Sequence, residues 1–135
     1  MTPQPSEVWT FQSPTAPRGE LKFKHHLCIG IGGSFLFIST HRERKRSHRG
    51  TMIIPNSDVP FLPPTETGRS EISCTTIVSR AFPDPTVPKH NPRGIVERRL
   101  MGELVRFIRA SKHLTDDERD AILDDLYDYY GAEIG

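Results

Sequence analysis

Short apolar runs broken by glycine and proline fill the first 80 residues, and a longer repeat takes over after Gly94. Val8-Trp9-Thr10-Phe11 reads as a first strand. Lys22 to Ile31 reads as a second and Ser34 to Thr40 as a third, because two apolar runs joined by Gly32-Gly33 form a hairpin. Thr51 to Ile54 is a fourth strand, stopped by Pro55. Pro60, Pro63 and Pro64 break up Val59, Phe61 and Leu62, which suit a plug at the end of a barrel rather than a paired strand. Glu71 to Ser79 is a fifth strand, and the four prolines between Ala81 and Pro92 mark a connector with room to move.

Ile95, Val96, Leu100, Leu104, Phe107 and Ile108 then recur at helical spacing, predicting an amphipathic helix over Gly94 to Ala110. Thr115-Asp116-Asp117-Glu118 is a capping-box start. Ile122, Leu126, Tyr129 and Tyr130 follow it, with Gly131 as the stop. The pattern predicts an α+β fold: a small antiparallel β-barrel followed by two C-terminal helices. Its expected division within one domain, 1–135, is a barrel over 7–80, a Pro-rich connector over 81–92 and a two-helix segment over 93–131.

Composition agrees with one modest core: 135 residues, 35% apolar and 26% charged, the balance of a soluble globular chain. No apolar run approaches the roughly 20 residues of a membrane span. Met1 to Glu20 is polar and Pro-rich, without the basic start and apolar centre of a signal peptide, so a cytoplasmic location is expected. Cys28 and Cys74 lie in apolar runs and read as reduced, buried small hydrophobes.

Charge changes the picture more. From Thr115 to Gly135 there are eight acids and one base, a net −7, so the other 114 residues carry 17 bases and nine acids, a net +8. A basic body with an acidic tail suits a protein that meets a polyanion, although a solvated acidic helix on an ordinary domain has the same composition. Two accounts of that helix compete. It folds back on the 41–49 segment as a mimic of RNA, or Ile122, Leu126 and Tyr130 pack on the preceding helix.

The candidate chemistry clusters at the ends of the second and third strands. His25 and His26 are adjacent, so strand parity sends them to opposite faces, His25 with Leu27 and Ile29, His26 with Lys24 and Cys28. Imidazoles move protons near neutral pH, and guanidiniums hold phosphate. His41-Arg42-Glu43-Arg44-Lys45-Arg46-Ser47-His48-Arg49 carries five Lys or Arg and one acid, able to gather several phosphates. Lys24, His41, Arg44, Lys45, Arg46 and Arg49 are accordingly the expected RNA-binding residues. Trp9, Phe11, Phe35 and Phe37 read as core, with stacking on bases as the alternative. The six histidines are scattered and no His-Glu-x-x-His motif appears, so neither a metal nor any other cofactor is expected.

In its order of parts the chain resembles the MazF/PemK-type toxins, small SH3-like barrels with helices packed on them. Val8 to Phe11 looks like their first strand, Lys24 to Ile29 their Arg-Pro strand, Phe37 to Thr40 their Thr-Ser strand, and Arg69 to Ile77 their Asp-Ser strand. The chain departs from them where His25-His26 replaces Arg-Pro and Thr75-Thr76 replaces Asp-Gln, and in its second, acidic helix. The resemblance implies a metal-independent endoribonuclease acting on single-stranded RNA through 2′-hydroxyl attack, held in check by an antitoxin protein and dimeric. It assigns catalysis to His25, His26, Thr40 and Arg42. The alternative is a non-catalytic barrel of the same shape that binds nucleic acid or a protein partner.

Overall fold

The computed structural model describes residues 2–15, 20–40 and 50–135. Its strands are β1 (Glu7–Thr15), β2 (Glu20–Gly30), β3 (Ser34–Ser39), β4 (Thr51–Pro55), β5 (Arg69–Ser79) and β6 (Gly94–Ile95), and its helices are α1 (Arg98–Arg109) and α2 (Asp116–Tyr130). The fold is α+β, a single six-stranded antiparallel sheet in the order β4-β5-β3-β2-β1-β6 with two helices at the C-terminus.

The β2–β3 hairpin forms where Gly-Gly predicts it. Gly32 and Gly33 have φ of +100° and +109°, and a side chain on Gly33 would run into the Arg80 carbonyl, so both positions need glycine. β1 and β2 run further than the apolar runs suggest, pairing from Val8↔Leu27 out to Thr15↔Glu20. β3 joins β2 only as far as His25↔Ile38. The outer part of β1–β2 is therefore a two-stranded ribbon within the described sheet.

Alternation along the strands separates two cores. Leu27, Ile29, Leu36, Ile38, Ile54, Ile72 and Cys74 face the helices and join Leu100, Met101, Leu104, Ile108, Ile122 and Leu126. Trp9, Phe11, Cys28 and Phe35 face the other way and are covered by Val78, Phe82 and Val87. Val59 and Leu62 are buried in the helix-side core and belong to none of the strands.

The Pro-rich segment 81–92 joins β5 to β6 as a strap packed on the sheet: Phe82 lies edge-on to Trp9 at 5.2 Å, and Asn91 is buried. One expectation is corrected. The predicted first helical turn at Gly94 is instead β6, because Gly94 and Ile95 pair with Val8 and Glu7 on the sheet edge. Phe61 packs so closely over Gly94 that a side chain there would overlap its ring.

α2 begins with the expected capping box, Glu118 N donating to Thr115 Oγ1 and Thr115 N donating to Glu118 Oε1. Ile122, Leu123 and Leu126 are buried in the helix-side core, which favours the packing account of this acidic helix. Neither described helix is long and apolar enough to cross a membrane.

Candidate functional site

Strand pairing decides where the two histidines go. Thr10 lies opposite His25 and Trp9 opposite His26, so the imidazoles leave opposite faces of the sheet. His25 is half-buried, with Nδ1 3.1 Å from Thr10 Oγ1. Nε2 makes no hydrogen bond among the described residues. Burial lowers the imidazole from its ordinary 6.5, and the positive charges of Arg93 and Lys24 push the same way. The shift favours the neutral ring, with Nδ1 engaged by Thr10.

Thr10 is itself held by a side chain acting as a strand. The Asn91 amide accepts from Thr10 N at 2.6 Å and donates to Thr10 O at 2.8 Å and to Pro88 O at 3.0 Å. This clamp and the Arg93 N to Val8 O bond, 2.7 Å, seat the 91–95 segment along the outer edge of β1. Arg93 is exposed and forms no ion pair among the described residues. Lys24 is half-buried, its Nζ 5.5 Å from the centroid of the half-buried Phe37 ring.

His26 occupies a different environment. It is fully buried, stacked on Phe11 at 3.8 Å with the rings 4° apart, with Nε2 3.1 Å from Ser13 Oγ. Its Nδ1 is buried with no hydrogen-bond partner. Burial drives its pKa down to about 4; the nearby carbonyls of Trp9 and Lys24 oppose that in part, while His25 and Arg80 add to it. The Arg80 guanidinium lies 4.7 Å from the Phe11 centroid, donates to Gln12 O at 2.9 Å and pairs with Asp84 at 3.0 Å. Hydrogen bonds from the Thr86 hydroxyl and N–H hold the Asp84 carboxyl below the usual carboxylate value. His26 thus lies buried within this cluster, whereas His25 on the other face is half-buried.

Of the other expected residues, Thr40 is half-buried and follows β3 by one residue, while Ile38 on that strand lies opposite His25. His41, Arg42, Arg44, Lys45, Arg46 and Arg49 lie outside the described residues. Trp9, Phe11 and Phe35 are buried core, not stacking surfaces. Cys28 and Cys74 are free and buried, one in each core, with burial raising both thiols to about 12. Among the described residues no group of three or more His, Cys, Asp or Glu could hold a metal ion. A cleft of about 260 Å³ opens between Trp9, Phe82, Val87 and Asn91, on the strap side, and the Asn91 amide there is already committed to Thr10.

Sequence reading did not find Thr10, Asn91, Arg93 or Phe23. For Phe23 a signal existed: Leu21-Lys22-Phe23-Lys24-His25 alternates at a period of two and extends the strand. For Asn91 and Arg93 none did, because their role depends on an edge pairing 81 residues away in sequence. Comparison with protein-family models, with characterised proteins and with solved structures returned no match.

Proposed function

We propose that this chain binds single-stranded RNA through an SH3-like sheet, at the end of β1–β2 that carries His25. One observation carries the reading: His25 lies in the field of two cations, Arg93 and Lys24, and neither pairs with a carboxylate among the described residues. Such a spot favours a phosphate oxygen, and the excess charge of +8 outside residues 115–135 extends the same preference. The basic composition of 41–49, joined to β3 through Thr40, supports it further.

The Thr10–His25 contact favours a second reading, cleavage. With Nδ1 accepting from Thr10, Nε2 would carry the proton; with Nδ1 donating, Nε2, which has no partner among the described residues, carries the lone pair of a base. In that tautomer His25 accepts the 2′-hydroxyl proton, O2′ bonds to phosphorus, and the 5′-oxygen leaves with a proton from water. Arg93 steadies the charge on the phosphorane. The products are a 2′,3′-cyclic phosphate and a 5′-hydroxyl end, as in the toxin family the sequence resembles. An antitoxin partner, a dimer and a cytoplasmic location belong to this second reading.

Titration of a labelled single-stranded RNA in EDTA at several salt concentrations tests both. Binding should weaken steeply as salt rises, and Arg93→Ala should reduce the log–log slope by about one. Fragments with 5′-hydroxyl ends that His25→Ala abolishes would establish cleavage. No salt-sensitive binding by the wild-type chain would end the RNA reading altogether.

A further inference from the structure

Phe23 is 58% exposed and Leu21 62%, in a strand whose other aromatic neighbours are buried or half-buried. Both alternate with lysines, and Leu21, Phe23 and His25 share one face of β2. Opposite them on β1 stand Pro14, Gln12 and Thr10. β3 stops pairing with β2 at His25, so this part of the sheet is a ribbon that the described part of β3 does not flank. An exposed phenyl ring here contributes nothing to either core. It costs solubility and offers a flat π-face.

We propose that the Leu21–Phe23 face of the β1–β2 ribbon is a stacking platform for unpaired bases of the RNA whose phosphate lies at His25. This rests on the RNA reading above and adds what that reading lacks, a reason to prefer single strands. A duplex presents its phosphates but keeps its base faces stacked internally, so only an unpaired strand can place a base on Phe23. The occupant is fixed by charge. Arg93 is exposed and lies near enough to His25 for its charge to act on it, whereas Lys24 leaves the other face of the strand, toward Phe37. A hydrophobic protein partner would meet the Arg93 charge without a carboxylate, whereas a nucleic acid supplies a phosphate beside every base. Successive residues on one strand face lie about 6.6 Å apart, so His25 and Phe23 can hold a phosphate and its adjoining base in an extended chain.

Phe23→Ala and Phe23→Trp, made in the full chain, test this against a single-stranded oligonucleotide and a hairpin duplex of matched length. Phe23 is exposed, so both variants should keep the wild-type thermal midpoint. We expect Phe23→Ala to weaken single-strand binding by roughly tenfold at unchanged salt slope, since the lost contact is stacking and not charge. Phe23→Trp should restore it, and duplex affinity should not change. If Arg93→Ala weakens binding while Phe23→Ala does not, the RNA reading stands and the platform is overturned. A wild-type dimer in sedimentation that Phe23→Ala dissociates would instead make this ribbon an interface between copies and overturn the platform as well. Absence of RNA binding by the wild-type chain removes both proposals.

Discussion

On the helix-covered face Leu27, Ile29, Leu36 and Ile38 meet the aliphatic side chains of α1 and α2, whereas on the strap face Trp9, Phe11 and Phe35 meet a histidine, an arginine and a proline-rich segment without regular structure. The first core is held by volume and area, and tolerates any arrangement that keeps apolar atoms in contact. The second is small, and its closure depends on directed contacts: Arg80 to Gln12 O and Asp84, Asn91 to Thr10, and Ser13 to His26. One sheet thus carries a layer sensitive to side-chain size and a layer sensitive to hydrogen bonding and proton concentration. The candidate site sits where they meet, since Thr10 belongs to the strand that Asn91 fastens from the strap.

The strongest blow to the helix-covered face is Leu104→Ala. Leu104 is fully buried in the larger core, and its truncation should cost about 3 kcal/mol in chemical denaturation through lost burial and a residual cavity. A cost below about 1 kcal/mol would mean that this core repacks freely and is not the rigid layer of the pair.

The next effect belongs to the strap face and appears with pH. The native pKa of His26, about 4, lies below its ordinary 6.5, so between those values the unfolded chain binds more protons than the folded one. The stability due to neutral His26 is complete above pH 6.5 and is lost as pH falls toward 4, by on the order of 3 kcal/mol at the limit. His25 titrates in the same direction, so the test is the difference between wild type and His26→Phe across pH 4 to 7. His26→Phe should flatten the curve. Equal slopes would show that the strap face yields to acid by some other group.

Asn91→Ala attacks the same layer without a titration. It leaves the Thr10 N–H and C=O without partners at a buried position, which should cost about 2 kcal/mol. Trp9, the only tryptophan, reports on this face directly, being packed against Phe82. Its fluorescence in Asn91→Ala should change at lower denaturant than the helical circular dichroism, as the strap opens ahead of global unfolding. Coincident transitions would make the two layers one cooperative unit.

This division also explains what could be read from the chain. The helix side was legible because its signals are local and periodic: Leu100, Leu104 and Ile108 at helical spacing, Thr115 to Glu118 as a cap, Gly32-Gly33 as a turn. Parity alone sent His25 and His26 to opposite faces. The strap was not legible, since Phe82, Val87 and Asn91 have no period and acquire their role only from β1, some 70 to 80 residues earlier. Composition there marks a connector, and its packing on the sheet comes from tertiary contacts that composition does not carry. For the same reason Thr10 and Arg93 were invisible as neighbours of His25, while the histidine itself was found. The Gly94 start of the helix was lost to edge pairing with Val8, a long-range competitor that local propensity cannot weigh.

The smallest prediction separates the layers most cleanly. Thr115→Ala removes the side-chain oxygen that accepts from Glu118 N and should cost about 1 kcal/mol. No hydrogen bond or ion pair among the described residues joins the strap to that cap, so an effect on Trp9 is expected to travel through the sheet. Ile122 and Leu126 share the larger core with Leu27 and Ile29, whose strand also carries His26 and Cys28 on its other side. A loosened α2 therefore weakens the sheet that the strap needs, and Thr115→Ala should lower the circular-dichroism and Trp9 midpoints together. Dependence is then one-way: the strap can leave a folded sheet, but the sheet cannot lose its helices and keep the strap. A Thr115→Ala chain in which the circular-dichroism midpoint falls while the Trp9 midpoint stays put would reverse that order, making the strap face the more autonomous of the two.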